Sequence, residues 1–69
     1  MNFEEALSYL KQGEKIYREK WKDSAVQFIY LKDNIIFEIF YQEDILKTTT
    51  WFPSHEDLLA SDWKIFIKF

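Results

Sequence analysis

The side chains that could meet another molecule gather at two places in this 69-residue chain. Around position 20, Arg18 and Trp21 stand close together. Arg18 is the sole arginine, and its planar fork suits bidentate binding of a phosphate or a carboxylate. Trp21 opens a turn-compatible Lys22-Asp23-Ser24 run, where an indole is harder to hide than in mid-strand, so it can stack on a flat ring or pack in a core. The second place is the run Trp-Phe-Pro-Ser-His-Glu-Asp from Trp51 to Asp57. Trp51 offers a second flat face. Pro53 pushes the residue before it out of the helical region, and Ser54 is a good N-cap for a short helix. The start of that helix presents free N–H groups and a dipole that favour an anion. His55 sits in the first turn, able to donate to a ligand or simply to face solvent. Asp57, three residues after Ser54, can bond back to the Ser54 N–H. Trp21, Arg18, Trp51, Ser54, His55 and Asp57 thus make a small kit for a flat, anionic ligand. Each has a plainer reading: Arg18 in a surface ion pair with Glu14 or Glu19, Trp51 and Trp63 in the core, Ser54 and Asp57 as caps.

Catalysis is poorly supplied. There is no cysteine, one histidine and one glycine. That removes thiolate nucleophiles, disulfides, most metal sites and the Gly-rich loops that cradle phosphates. Asp57 and Asp62 are near in sequence and could share acid–base work, but a cap and a helix-to-strand corner explain them better. The expectation is a protein that is not an enzyme, with no catalytic residue, no metal and no cofactor.

The formal net charge is −3, from nine basic and twelve acidic residues. A protein that coats DNA or RNA needs a basic surface, so no nucleic-acid partner is expected. No basic leader with an apolar run opens the chain, and no apolar run can span a bilayer, so the expected setting is soluble and cytoplasmic. The length fits a single domain over residues 1–69, and so small a core usually needs outside help. Aromatics make up 20 % of the residues, which suits packing, association and stacking alike.

The elements that must position these residues read as α+β. Residues 2–12 form an amphipathic helix: Asn2 caps it, Glu5 completes the capping box, Phe3, Ala6, Leu7 and Leu10 share a face, and Gly13 ends it. Residues 14–20 are a short polar strand with Ile16 and Arg18 on one side. Residues 25–31 alternate as a strand, with Val26, Phe28 and Tyr30 opposite Gln27, Ile29 and Leu31. Lys32-Asp33-Asn34, with Asp-Asn able to take positive φ, turns the chain into residues 35–41, apolar on both faces but for Glu38, and such a strand wants cover on both, from another chain if need be. Gln42-Glu43-Asp44 is the next turn, leading into residues 45–52. A short helix follows, with Leu58 and Leu59 facing a core, and residues 62–69 alternate as a last strand. The sum is an N-terminal helix, an antiparallel sheet of about five strands and a short second helix before the last strand.

The run Trp51-Phe52-Pro53-Ser54-His55-Glu56-Asp57-Leu58-Leu59-Ala60-Ser61-Asp62-Trp63 resembles the C-terminal signature W-x-P-S-Q-x-D-L-L-A-x-D-W of the Thoeris anti-defence protein two family, which phages encode. The opening is similar too: Asn2-Phe3, Glu5-Ala6-Leu7, Leu10, Gly13, Lys15, Arg18 and Trp21, then Phe28, Tyr30 and Leu31. The likeness covers about the first half and the last third of the chain. It implies a non-catalytic sponge. Members of the family sequester cyclic nucleotide signals, notably cyclic ADP-ribose isomers, so that a bacterial immune effector stays inactive. They form homo-oligomers with ligands in pockets where protomers meet. By position, Trp21 would stack a base, and the corner from Trp51 to Asp57 would help line the pocket.

The chain departs from that pattern at three points. His55 stands where the family usually has Gln, and Lys20 where it usually has Gly before the tryptophan. Only residues 32–47 fill a middle that is longer in the family and used in assembly. The short middle speaks for a dimer, with a tetramer still open. The leading expectation is a sponge for a cyclic nucleotide in the host cytoplasm. The alternative is a protein-binding inhibitor or adaptor of a host defence protein, meeting its partner through exposed aromatics.

Overall fold

A computed structural model describes residues 1–67. Helix α1 spans Phe3–Lys11. Asn2 caps it through the expected box: the Asn2 side-chain oxygen accepts the Glu5 N–H at 2.8 Å, and the Glu5 carboxylate accepts the Asn2 N–H at 3.1 Å. Gly13 follows the helix at φ +92°, a left-handed conformation that glycine adopts without penalty.

The strands are β1 (Ile16–Arg18), β2 (Val26–Lys32), β3 (Ile35–Gln42), β4 (Ile45–Thr50) and β5 (Trp63–Ile65), with helix α2 (His55–Leu59) between the last two. They form one sheet in the order β4-β3-β2-β1-β5, antiparallel throughout. Two tight turns set the meander. Asp33 and Asn34 have φ of 51° and 63°, and Glu43 and Asp44 have 53° and 62°. Two left-handed residues in a row give the turn twist that matches paired strands.

Helix α1 lies on one face of the sheet and closes the core with Ala6 and Leu10 against Ile16, Ile29, Trp51 and Trp63. The three residues Phe3, Trp51 and Trp63 meet edge to face or tilted, with ring centres 5.3–5.8 Å apart, a geometry that aromatic quadrupoles favour. Cross-strand register puts Phe28, Tyr30, Phe37 and Ile39 on the opposite face, where no helix lies.

Several sequence expectations are corrected. The first strand is three residues, not seven, because Glu19 and Lys20 enter a 3₁₀ turn over Glu19–Asp23. The Glu19 N–H still bonds the Asp62 carbonyl at 3.0 Å, in register with β5, but the Lys20 N–H turns to the Asp62 carboxylate at 3.1 Å, and there the chain leaves the ladder. The last strand stops at Ile65, with one further bond in register from the Phe66 N–H to the Lys15 carbonyl at 2.7 Å; Lys68 and Phe69, expected in that strand, lie outside the described residues. The strand expected over 45–52 ends at Thr50. A bulge between Val26 and Phe28 breaks the alternation expected of β2. Leu58 and Leu59 do not reach the core: they are 43 % and 86 % exposed, because α2 is a five-residue turn held by its caps rather than by an apolar face.

Candidate functional site

The 3₁₀ turn after β1 brings Trp21 against Trp63 at the margin of the core. There it borders a hollow of about 430 Å³ lined by Tyr17, Trp21, Lys22, Gln27, Ile65 and Phe66, among others. The pleat sends Tyr17 to this side while its neighbours Ile16 and Arg18 point to the other. The bulge in β2 lets both Val26 and Gln27 border the same space. Phe66 meets Tyr17 edge-on at 6.1 Å and lies 4.7 Å from Phe28, so the floor is aromatic. A second hollow of about 420 Å³ adjoins it, sharing Gln27 and Phe66 and adding Lys15, Phe28, Tyr41 and Leu46. Lys15 Nζ sits 5.2 Å above the Phe28 ring, close enough for a cation–π contact. Flat apolar floors with one cation and one amide at each rim suit a ligand that carries both rings and negative charge.

Trp21 is half-buried. Its inner edge packs at 5.3 Å and 84° against Trp63, and the rest borders the hollow. It is therefore both part packing and part lining.

Arg18 lies elsewhere. Its guanidinium is buried on the α1 side and does not border the hollow. Nε donates to Asp62 Oδ1 and Nη1 to Asp57 Oδ1, each at 2.8 Å; Nη2 is 3.6 Å from Glu56. Its partners are thus neither Glu14 nor Glu19, the pairings expected from nearness in sequence. Glu19 pairs instead with Lys22 at 2.7 Å and Lys64 at 2.9 Å. Burial works against charge on the Asp57 and Asp62 carboxyls. The hydrogen bonds from Ser54 and Arg18 to Asp57, and from Arg18 and the Lys20 backbone to Asp62, outweigh it, so both stay below the usual carboxylate range. The guanidinium is likewise held in its charged form, the two carboxylates outweighing its burial. Lys20 closes the cluster with an ion pair to Glu56.

Ser54 and Asp57 form the expected cap: Ser54 Oγ accepts the Asp57 N–H at 3.1 Å, and Asp57 Oδ2 accepts the Ser54 N–H at 3.0 Å. The Asp57 carbonyl also accepts the Trp63 indole N–H at 3.0 Å. His55 lies on α2, exposed. Trp51 is buried in the core at 7 % exposure. Of the six candidates, then, Trp21 alone borders the hollow. Arg18, Ser54 and Asp57 build a clamp at the corner, and that clamp fixes the turn bearing Trp21 through Asp62. Tyr17, Lys22, Gln27 and Phe66 were missed. Tyr17 and Lys22 flank Arg18 and Trp21, and strand alternation could have placed Tyr17; Phe66 needed the pairing of β5.

The chain belongs to the Thoeris anti-defence 2-like family. A family model described as Thoeris anti-defense 2-like domain matches residues 1–66. A protein of Bacillus phage SP01 described as Thoeris anti-defense 2 is 33 % identical, over 94 % of this chain and 93 % of its own length. That alignment runs over 84 positions against 69 residues here, so the phage SP01 protein carries residues with no counterpart in this chain. Among the described residues, no cluster of His, Cys, Asp and Glu could hold a metal ion, and no helix is long and apolar enough to cross a membrane.

Proposed function

We propose that this member of the family binds a cyclic nucleotide immune signal, a cyclic ADP-ribose isomer or a cyclic oligonucleotide, and sequesters it in the host cytoplasm without changing it. The observation that carries the reading is the hollow beside Trp21. An indole edge, a tyrosine and a phenylalanine offer faces for a base, and Lys22 and Gln27 offer donors to a phosphate or a ribose. Membership of an anti-defence family supports a role against host immunity. The mechanism is mass action. An abundant binder with high affinity lowers the free signal below the effector's threshold, and no bond is made or broken. Among the described residues the lining has no carboxylate, histidine, serine or threonine, while His55 and the Asp57–Asp62 pair sit at the corner. The hollow is open on its outer side, and self-association into a dimer or tetramer would close it, as an interfacial pocket requires.

A second reading rests on a different surface. Phe52 and Leu59, at the corner between β4 and β5, are 83 % and 86 % exposed, and large exposed apolar side chains suit a protein partner. Under it the protein would inhibit a host defence protein directly.

Native mass spectrometry with a panel of cyclic ADP-ribose isomers and cyclic di- and trinucleotides separates the two. Retention of one signal at fixed stoichiometry, with release of the unchanged molecule on denaturation, supports sequestration. An unliganded species across the whole panel overturns it and favours the protein partner.

A further inference from the structure

The two edges of the sheet are treated differently. β5 is three residues long, and its outward groups at Trp63 are already used: the Met1 carbonyl accepts the Trp63 N–H at 3.1 Å, and the Met1 amino group donates to the Trp63 carbonyl at 3.0 Å. β4 is six residues long, and every one is exposed. It pairs with β3 from Ile45 to Thr50 without a bulge. It has no proline, one charge at Lys47, and four β-branched residues, Ile45, Thr48, Thr49 and Thr50. The usual devices that protect an edge, namely shortness, bulges, prolines and clustered charge, are thus nearly all missing.

We infer that β4 is the self-association edge of this protein and pairs antiparallel with β4 of a second copy, making one sheet across a two-fold axis. The ladder fixes the register. Trp51 donates its N–H to Ile36, so odd-numbered positions of β4 bond inward to β3, and Leu46, Thr48 and Thr50 present their N–H and C=O groups to the open edge. A two-fold axis of an antiparallel pair stands perpendicular to the sheet, so it must pass through a residue facing its own copy. Centred on Lys47 it would set two lysines directly opposite, which is destabilising. Centred on Thr48, the two Thr48 residues exchange both backbone hydrogen bonds, Leu46 faces the partner's Thr50, and Lys47 faces the partner's Thr49.

Charge favours the same register. Glu38 lies next to Thr49 in the β3–β4 ladder, on the α1 side. Burial and the nearby Asp57 push its carboxyl above the ordinary range, and no ion pair relieves it among the described residues. With the axis at Thr48, Lys47 stands two strands away from the partner's Glu38, about 10 Å at the usual strand spacing. The combined reach of the two side chains spans that gap over the intervening threonine. Each copy thereby supplies the cation that the other lacks, twice across the axis. This edge lies at the end of the sheet away from the hollow beside Trp21, so the pairing is separate from any closure of that hollow and needs no nucleotide to form.

Light scattering of the unliganded protein over a concentration series is the test. An edge pairing of this length buries less than a standard interface, so the series should reach above a dissociation constant on the order of micromolar. Thr48→Pro removes an N–H that faces the open edge, a position where a strand tolerates proline. It should keep the circular-dichroism spectrum and at least halve the associated mass. Lys47→Glu should weaken association about tenfold or more, and adding Glu38→Lys should restore it. A wild-type monomer up to about a hundred times that constant, or an oligomer indifferent to both Thr48→Pro and Lys47→Glu, overturns the proposal. Should Thr48→Pro unfold, the charge-swap pair decides alone. Because mass is read without ligand, a failed interface leaves nucleotide retention as a separate result, and a failed nucleotide panel leaves the interface standing.

Discussion

Arg18 Nε donates to Asp62 Oδ1 at 2.8 Å across 44 positions of sequence. The same carboxylate takes the Lys20 N–H through its other oxygen, so one aspartate ties the end of β1, the start of the Trp21 turn and the entry to β5 into a single corner. Asp57, also bound to Arg18, caps α2 and receives the Trp63 indole. Asp57, Asp62 and Trp63 thus form a scaffold for the turn that bears Trp21.

Arg18→Ala should destabilise the fold rather than merely empty a binding site. It strands two carboxylates beside a buried space. Breaking such a pair costs about 3 kcal/mol, which for a domain this small lowers Tm by at least roughly 12 °C. Arg18→Lys should recover only part of the loss, since one ammonium cannot span both carboxylates in the guanidinium geometry. Calorimetry decides it. A variant with native Tm but no ligand affinity would show instead that Arg18 meets the ligand.

Acid should open the same corner. Asp57 and Asp62 are held below their ordinary values in the fold, so the unfolded chain binds more protons than the native one as pH drops through the carboxylate range. Their stabilisation is complete above the unfolded value of about 4 and is lost as pH falls through the folded ones. Glu56, lowered by Lys20, and Glu19, lowered by Lys22 and Lys64, add in the same direction from the surface. Glu38 opposes them, because its raised carboxyl gains protons on folding. Four lowered groups against one raised predict a Tm that is flat down to about pH 5 and falls below it. The fall should be shallower in Arg18→Ala, where the partner that both carboxylates share is gone.

Trp21→Ala tests the hollow. The indole is half-buried against Trp63, so its loss costs the edge-to-face contact of about 1 kcal/mol and, on top of that, the apolar area it buries, and the variant should still fold. A stacked base is worth about 1–3 kcal/mol, so affinity for the retained signal should fall roughly 5- to 150-fold. Unchanged affinity in a folded variant would put the ligand elsewhere.

What the sequence made legible was local. The boxes Asn2–Glu5 and Ser54–Asp57 each span three residues, and both stand in the structure as read. The places of the two hairpin turns and the left-handed Gly13 were likewise visible, though the turns proved one residue shorter than the runs 32–34 and 42–44 that mark them. The clamp was not, because Arg18 reaches partners 39 and 44 positions away while carboxylates lie much nearer in sequence. Period-two alternation from Asp62 onward overstated β5, since alternation says nothing of how long the partner strand is. The hollow escaped notice for a similar reason. It depends on a bulge, on a 3₁₀ turn set by distant hydrogen bonds, and on Phe66 crossing to Phe28.

The β3–β4 turn offers a gain rather than a loss. Glu43 and Asp44 both sit at left-handed φ, 53° and 62°, and glutamate has neither the freedom of glycine nor the side-chain bonding that lets asparagine tolerate it. Glu43→Asn with Asp44→Gly supplies the residue pair that this turn type favours most. Neither side chain makes a hydrogen bond or ion pair among the described contacts, so nothing is given up in exchange. The double variant should gain about 1 kcal/mol, seen as a Tm rise of roughly 4–8 °C. It leaves the outward groups of Leu46, Thr48 and Thr50 untouched, so the associated mass should not change. A rise in Tm with unchanged mass would show that the hairpin is limited by its turn, and a fall in mass would show that the turn itself takes part in association.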